Sequence, residues 1–363
     1  MKFIDEFRDA GLTRKLADKI ATISTRPLRL MEFCGGHTVA IMRNGIRQLL
    51  PANIEMLSGP GCPVCVTANR DIDRAIALAG LPEVIITTFG DMIKVPGSYS
   101  SLQQARAAGG DIRVVYSTQD ALQAARDNPH RPVIFLGVGF ETTAPTIASA
   151  IVQAEKEKIS NFSVLCQLKL TPPAMRALLD LGETRLNGII CPGHVSAIIG
   201  TRPYEAYARD YGVACVVAGF EPVDILQAVE MLVRQVEDGN ARVEIAYTRG
   251  VKPEGNVKAR ELMDNIFDTD NAGWRGIGDI PGSGLRIKSE YARFDAGRQF
   301  EVELPPAREH AGCRCGEILR GVIRPIDCGL FGKACTPENP VGPCMVSSEG
   351  SCAAYYQYGA YDG

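Results

Sequence analysis

Three groups of residues in this sequence have types and spacings that could support sulfur and metal chemistry. The first is the segment 34–38, Cys-Gly-Gly-His-Thr, which follows a β-branched run and precedes a helical stretch. Its two glycines allow a sharp turn with exposed backbone N–H groups, and Cys34 and His37 are spaced so that both could bind one metal ion. A buried thiol in an ordinary strand-to-helix turn, with Thr38 as a cap, fits the same spacing equally well.

The second group is Cys62-Pro63-Val64-Cys65, a Cys-x-x-Cys pair in a turn that leads into a helix near Arg70. A thiol near a helix N-terminus has a lowered pKa, and such a pair can store two electrons as a disulfide. Half of a zinc site is the competing interpretation, with the other ligands drawn from Cys34 or from Cys191 and His194. The glycine- and proline-rich turn favours redox chemistry or iron ligation over structural zinc.

The third group is a run of six cysteines within forty residues that also contain glycine and proline but no histidine: Cys313, Cys315, Cys328, Cys335, Cys344 and Cys352. This pattern is typical of an iron-sulfur cluster held by four thiolates, which leaves two thiols over. A zinc ribbon would need two Cys-x-x-Cys knuckles, and this segment has none. Cys313 and Cys315 are too close in sequence to ligate one cluster easily, so one of them could belong to a neighbouring disulfide.

Two further loops carry weaker signals. Glu141 and Thr142, within residues 137–145, would lie at the carboxyl edge of a sheet, where α/β folds hold ligands, and they are candidate catalytic residues. Thr143 reads as a helix N-cap followed by proline in the first turn. The segment lacks the third glycine and the distal acid of a dinucleotide fingerprint, so that function is excluded. His194, in the Pro-Gly-His segment at 192–194, is expected to be structural.

Short β-branched runs alternate with helical segments along most of the chain, which predicts an α/β fold with parallel sheets. Strands are predicted at 28–33, 54–58, 84–89, 112–116, 133–138, 164–168, 188–190 and 213–217. The two sets of strands carry similar loops in the same order, so we predict two similar α/β domains, 28–130 and 131–245, that face a cleft. Residues 1–27 and 246–363 are predicted to form a helical, loop-rich cysteine domain that carries the iron-sulfur cluster.

The composition excludes several classes of function. Hydrophobic residues make up 45% and charged residues 22% of the chain, which is typical of a compact globular protein. A formal net charge of -3 without a basic stripe argues against nucleic acid as a partner. No apolar run could span a bilayer and the acidic start is unlike a secretory signal, so we expect a cytoplasmic protein without a membrane partner. Twelve cysteines in that reducing compartment indicate metal binding or redox chemistry.

Together these motifs resemble the HypD family of hydrogenase maturation factors, from about Met31 to Tyr356. The resemblance rests on residues 34–38, 59–67, 139–145, 192–200 and 313–352, including Met-Val-Ser-Ser-Glu-Gly at 345–350. It implies a scaffold for assembly of the Fe(CN)2(CO) group of nickel-iron hydrogenases. The partners it implies are the small chaperone HypC and the cyanide donor HypE, with the hydrogenase large subunit as an indirect partner.

The resemblance also implies roles for the cysteines. Cys34 would ligate the iron together with a cysteine of HypC, with His37 beside it, and Cys62 and Cys65 would be the redox pair. By analogy with ferredoxin-thioredoxin reductase, a 4Fe-4S cluster would recharge that pair through an adjacent disulfide. The cysteines implied are Cys313, Cys328, Cys335 and Cys352 for the cluster, and Cys315 with Cys344 for the disulfide. The alternative function is an iron-sulfur thiol-disulfide oxidoreductase, which would not need Cys34 and His37.

Overall fold

The computed structural model describes residues 4–359 and has two parallel sheets and one antiparallel hairpin. The strands are β1 (Leu28–Glu32), β2 (Ile54–Ser58), β3 (Ile85–Thr88), β4 (Asp111–Val114), β5 (Val133–Gly139), β6 (Phe162–Leu168), β7 (Gly188–Pro192), β8 (Ala214–Ala218), β9 (Val243–Ile245), β10 (Phe267–Trp274) and β11 (Gly278–Ile287). The prediction of an α/β fold with parallel sheets and a cysteine-rich C-terminal region is confirmed. The cleft between two facing domains stays a prediction.

The helices begin where the local sequence provides starting signals. They are α1 (Ala10–Ile23), α2 (Gly35–Arg43), α3 (Ile46–Leu49), α4 (Pro63–Val66), α5 (Asn69–Ala79), α6 (Leu102–Ala107), α7 (Thr118–Asp127), α8 (Ala144–Lys156), α9 (Thr171–Leu181), α10 (Gly193–Ile199), α11 (Glu205–Tyr211), α12 (Pro222–Glu237), α13 (Val257–Ile266), α14 (Ala296–Gln299), α15 (Cys315–Leu319), α16 (Pro343–Val346) and α17 (Ser351–Tyr358). Ser117 and Asp120 form a capping box at α7, and proline occupies the first turn of α8, α9 and α12.

The first sheet has the strand order β2-β1-β7-β8-β9 and the second has the order β4-β3-β5-β6. Helices cover these sheets, and β5 and β8 are buried along their whole length. This double-sided burial explains why their sequences are almost continuous apolar runs without polar alternation. Because paired strands run parallel, the loops that follow neighbouring strands meet at one edge of each sheet.

The sheets do not divide the chain at the predicted boundary between residues 130 and 131. Strands β1 and β2, from the predicted first domain, share a sheet with β7, β8 and β9, whereas β3 and β4 share a sheet with β5 and β6. The chain therefore starts the first sheet, builds the whole second sheet, and returns to complete the first. Local sequence patterns predicted β1 to β8, but the choice of pairing partner depends on long-range packing that no local pattern reports.

The flanking regions also differ from the prediction. Helix α1 packs beside the first sheet, with Ile20 in a core that includes Leu28 and Leu232, and so it belongs to that sheet. Within residues 246–363, which were predicted to be helical and loop-rich, the chain forms the hairpin β10–β11, whose turn uses Gly276 and Gly278 at positive φ. Within residues 4–359, no helix combines the length and the apolar character needed to cross a bilayer.

Candidate functional site

The loops that carry Cys34 and Cys62 lie against each other because they follow the neighbouring strands β1 and β2. The Gly35 N–H group donates to the Gly61 carbonyl oxygen over 3.1 Å. A Cβ atom at Gly61 would lie 2.2 Å from the Cys34 backbone nitrogen, so only glycine allows this approach. The candidate metal-binding loop and the candidate redox loop therefore share a direct backbone contact.

Cys34 and Cys62 occupy equivalent positions at the starts of two helices. Cys34 is the N-cap of α2, and the backbone N–H groups of Gly36 and His37 interact with its sulfur. Cys62 is the N-cap of α4, and its sulfur accepts the Cys65 N–H group at 3.2 Å. At Cys34 these backbone donors favour the thiolate form and act to lower its pKa.

The surroundings of Cys34 oppose that local preference. Burial raises the pKa of Cys34 to about 12, and the nearby Glu349 and Glu32 carboxyl groups also raise it. Glu349 belongs to the cysteine-rich segment and packs so closely that a Cβ at Gly35 would lie 2.5 Å from the Glu349 Cβ. In such a site a bound cation would compensate the negative charge of the thiolate, because opposite charges attract each other strongly where water is excluded.

Glu32 fixes the geometry of the Cys34 loop. Its side chain is 1% exposed, and one carboxyl oxygen accepts the Cys34 N–H group at 2.9 Å. The other oxygen accepts the Thr38 hydroxyl. Burial raises the pKa of Glu32 to about 8. Glu32 lies within the predicted strand 28–33, and no local pattern indicated that its carboxyl group turns back to the loop.

The His37 ring lies in a buried stack beside this loop. Its Nε2 atom is 2.9 Å from the Gly219 carbonyl oxygen, and burial lowers the pKa of His37 to about 4. A neutral ring that donates from Nε2 keeps a lone pair on Nδ1, which is buried without a hydrogen-bond partner among residues 4–359. Phe220 stacks on His37 at 4.6 Å between ring centroids and on His194 at 3.9 Å.

A series of neighbouring thiols runs from the Cys-x-x-Cys pair into the C-terminal segment. The Cys65 thiol interacts with those of Cys62 and Cys344, and burial raises its pKa well above the ordinary value. Cys344 interacts in turn with Cys315, and Cys315 with Cys313. The structure therefore places Cys65 of the predicted redox pair beside Cys344, and Cys344 beside Cys315, its partner in the predicted disulfide. All of these cysteines are free thiols in the structure.

The other terminal thiols gather around Cys352, which has charge interactions with Cys335, Cys313 and Cys328. All six terminal cysteines line one apolar cavity, together with Ile318, Leu330, Phe331 and Met345. No carboxylate or imidazole lies among the lining side chains of this cavity. The donors are therefore of the type that iron-sulfur clusters use.

No three His, Cys, Asp or Glu side chains within residues 4–359 converge closely enough to hold a single metal ion. A 4Fe-4S cluster makes a different demand, because each iron takes its own thiolate and the ligands surround the cluster. The six-thiol apolar cavity fits this demand by its donor set. Which four thiols would be ligands stays a prediction.

Glu141 and Thr142 lie in the loop after β5, and the side chain of Glu141 is hydrogen-bonded within the protein. Both Glu141 carboxyl oxygens accept from Thr171, one from its N–H group and one from its hydroxyl, each at 2.8 Å. These bonds join the loop after β5 to the start of α9. Thr142 is exposed. The catalytic role of the two residues stays a prediction.

Sequence reasoning missed three residues that shape the site: Glu349, Phe220 and Trp274. Glu349 lies in the segment 345–350, where no charge pattern indicates contact with Gly35 about three hundred residues away. Trp274 stacks on Phe140 at 5.8 Å and so joins the hairpin to the loop after β5. The presence of only one tryptophan in the chain was the available signal for a residue with a special packing role.

Replacing Gly61 with alanine should destabilise the fold, because the new methyl group would overlap the Phe33–Cys34 backbone. We expect a loss of about 2–4 kcal/mol in the free energy of unfolding, measured by denaturant titration. The matched control is Gly90→Ala, where the new Cβ would make an ordinary 3.7 Å contact with Val114. Equal stabilities of the two variants would contradict the close approach of the loops.

Glu141 should make stability depend on pH. Burial raises its pKa to about 7 from the model-compound value of 4.5, so the folded state binds a proton that the unfolded state releases. Its contribution is complete below pH 4.5 and is lost as the pH rises to about 7, by roughly 3 kcal/mol at most. Glu141→Gln should flatten the decline in unfolding free energy between pH 5 and pH 7. An unchanged slope would contradict this assignment.

Comparison with known proteins agrees with the resemblance seen in the motifs. The family model HypD, described as the hydrogenase formation hypA family, matches residues 11–359. The chain is 51% identical to hydrogenase maturation factor HypD of Azotobacter vinelandii, over 99% of this chain and 97% of that protein. It is 49% identical to HypD2 of Bradyrhizobium diazoefficiens, with coverages of 99% and 98%. It is 44% identical to HypD of Escherichia coli, again with coverages of 99% and 98%. The chain therefore belongs to the HypD family and takes part in hydrogenase maturation.

Proposed function

We propose that this protein is the scaffold on which the Fe(CN)2(CO) group of nickel-iron hydrogenases is assembled, and that it supplies electrons through its thiols. The observation that carries the proposal is the contact between two loops, one with Cys34 and one with Cys62 and Cys65. An iron held at Cys34 would lie next to a dithiol that continues into the terminal cysteines. The iron is the cargo of this reaction and leaves with the product.

Cys34 would bind the iron through its sulfur, and a cysteine of the chaperone HypC would provide a second thiolate. Cys34 is partly exposed, whereas Cys62 and Cys65 are buried, so a partner protein could reach Cys34 first. The positive charge of the iron would offset the effect of Glu32 and Glu349 on the thiolate. The free Nδ1 lone pair of His37 could accept a hydrogen bond from a group bound nearby.

Cyanide release from a thiocyanate on the donor HypE requires two electrons. The Cys62 thiolate, supported by the Cys65 N–H group, would attack the thiocyanate sulfur and expel cyanide with its bonding electron pair. This step forms a mixed disulfide between Cys62 and the donor. Cys65 would then attack the Cys62 sulfur, which frees the donor thiolate and leaves a Cys62–Cys65 disulfide. The dithiol is oxidised by two electrons and the thiocyanate is reduced by two.

The contact between Cys65 and Cys344 supports an internal route for restoring the dithiol. Cys344 would attack Cys65 and release Cys62, and Cys315 would then attack Cys344 and release Cys65. Each exchange conserves electrons and moves the disulfide one step toward the terminal cavity. A 4Fe-4S cluster bound there would be held by Cys313, Cys328, Cys335 and Cys352. It would pass two electrons, one at a time, from an external one-electron donor to the Cys315–Cys344 disulfide.

The iron-sulfur thiol-disulfide oxidoreductase is the second candidate, because the same series of thiols could reduce a protein disulfide. It differs from the scaffold in its use of the Cys34 loop, which a reductase would not need. In either case we propose a cytoplasmic location, where thiols are kept reduced. Experiments on Cys34 therefore separate the two functions.

Replacing Cys34 with alanine should abolish hydrogenase maturation, because the iron loses its ligand on this chain. Infrared spectra of the protein purified with HypC should lack the cyanide and carbonyl bands, while visible absorption of the terminal cluster should persist. The control is Cys166→Ala, since Cys166 is also partly exposed and burial likewise raises its pKa to about 12. If the Cys34→Ala variant supported normal maturation and also reduced protein disulfides, the result would favour the thiol-disulfide oxidoreductase.

The double variant Cys62→Ser, Cys315→Ser should trap a disulfide between Cys65 and Cys344, because each lacks its resolving partner. After mild oxidation, peptide mass spectrometry should detect the Cys65–Cys344 cross-link in most of the protein. Adding Cys344→Ser is the matched control and should remove the cross-link. Cross-linking of Cys65 to Cys328 instead would argue against the proposed order of transfer.

A further inference from the structure

A second cavity, of about 290 Å³, lies between the edge strand β6 and the hairpin β10–β11. The outer edge of β6 has isolated bridges at Val164, to Asp295, and at Lys169, to Gly284. Between the two bridges, no strand of the described chain pairs with this edge of β6. The cavity lies beside this unpaired stretch. Of the twelve cysteines only Cys166 lines it, so this cavity is separate from the thiols of the proposed assembly site.

On the inner wall of this cavity, two buried side chains have polar atoms with weak or missing partners in the protein. Lys169 is 2% exposed, and its Nζ atom has a single acidic neighbour, the Asp71 carboxylate, at the long distance of 3.5 Å. The Gln167 side chain is 8% exposed, and its Nε2 donates to the Asp71 carbonyl oxygen over 2.7 Å. That bond fixes the orientation of the amide, and Oε1 is left buried without a partner in residues 4–359. Buried polar groups of this kind usually find a partner in a ligand or in water.

The rim of the cavity provides a second available cation. Arg70, Arg286 and Arg298 pair with Asp279, Asp268 and Asp295. Arg74 also lines the cavity and is exposed; it has a charge interaction with Asp295 but makes no hydrogen bond or close ion pair within the described part of the chain. The cavity thus presents two weakly paired cations, the Lys169 ammonium and the Arg74 guanidinium, and one acceptor that lacks a donor.

We propose that this cavity binds a small hydroxylated dicarboxylate. One carboxylate would pair with Lys169 and the other with Arg74, because two cations at opposite depths match two separated negative charges. The ligand hydroxyl would donate to Gln167 Oε1 and so satisfy the buried acceptor. A volume of about 290 Å³ is at the lower limit of ligand pockets, which suits a molecule of this size. This site is independent of the proposed assembly function.

The test is isothermal titration of the full-length protein with L-malate and with succinate, which has the same carboxylates but no hydroxyl. We expect saturable binding of malate, and binding of succinate weaker by about tenfold, the usual effect of one lost hydrogen bond in a buried site. Lys169→Met should weaken malate binding by about tenfold or more. Equal affinities for malate and succinate, or no saturable binding of malate, would overturn the proposal.

Arg74→Gln keeps the test decisive if Lys169→Met fails to fold, because Arg74 is exposed and makes no hydrogen bond or close ion pair in the described residues. It should weaken malate binding several-fold, by roughly three- to tenfold. The matched control is Arg293→Gln, an exposed arginine that pairs with Glu155 and does not line the cavity. Identical malate affinities of the two arginine variants would overturn the proposal. Binding is measured directly, so its outcome does not depend on hydrogenase maturation.

Discussion

The close approach of the Gly61 backbone to the Phe33–Cys34 backbone is the constraint on which the site depends. A Cβ at Gly61 would lie 2.2 Å from the Cys34 nitrogen and 2.3 Å from the Phe33 carbonyl carbon. This contact requires that β1 and β2 be neighbours in register, because only then do their following loops reach the same edge position. The parallel sheet therefore does more than carry the two loops. It holds the backbones of the two loops in direct contact, so that a reaction at one cysteine could affect the other.

Burial shifts the pKa values of several thiols in the same direction. The pKa values of Cys34, Cys65, Cys344 and Cys352 are all raised chiefly or partly by loss of water. Neutral thiols that are buried side by side are protected from oxidants and ionise only when a compensating charge or an exchange partner is present. Among the cysteines of the two loops and the terminal segment, Cys34, Cys313 and Cys328 are partly exposed, whereas Cys62, Cys65, Cys315, Cys335, Cys344 and Cys352 are buried.

The sequence predicted local features well and long-range features poorly. All eight predicted strands exist, because buried parallel strands leave continuous apolar runs in the sequence. The membership of the two sheets was missed, since β7 pairs with β1 across more than one hundred and fifty residues and nothing local to either strand encodes that choice. The region 246–363 was predicted to be loop-rich, yet the strands β10 and β11 within it pair as an antiparallel hairpin.

The same distinction applies to the site. Cys34, Cys62 and Cys65 were selected as candidates from their spacing, because helix starts after strands have a recognisable local pattern. Glu349 and Phe220 were not, since their effects on Cys34 and His37 arise from tertiary contacts.

The hairpin β10–β11 and the terminal cysteine segment both contact loops of the two sheets. Arg275, in the turn of the hairpin, is buried and donates to the Thr67 and Pro96 carbonyl oxygens, beside the loops after β2 and β3. Ser347 donates to Asp91 after β3, and Trp274 stacks on Phe140 after β5. Thiol exchange requires an attacking sulfur to approach along the line of the breaking bond, and a segment held at several points can keep that alignment. Because strands of the first sheet bring Cys34 and Cys62 together and loops of the second sheet hold the segment with Cys344, a relay between them needs both sheets in one fold.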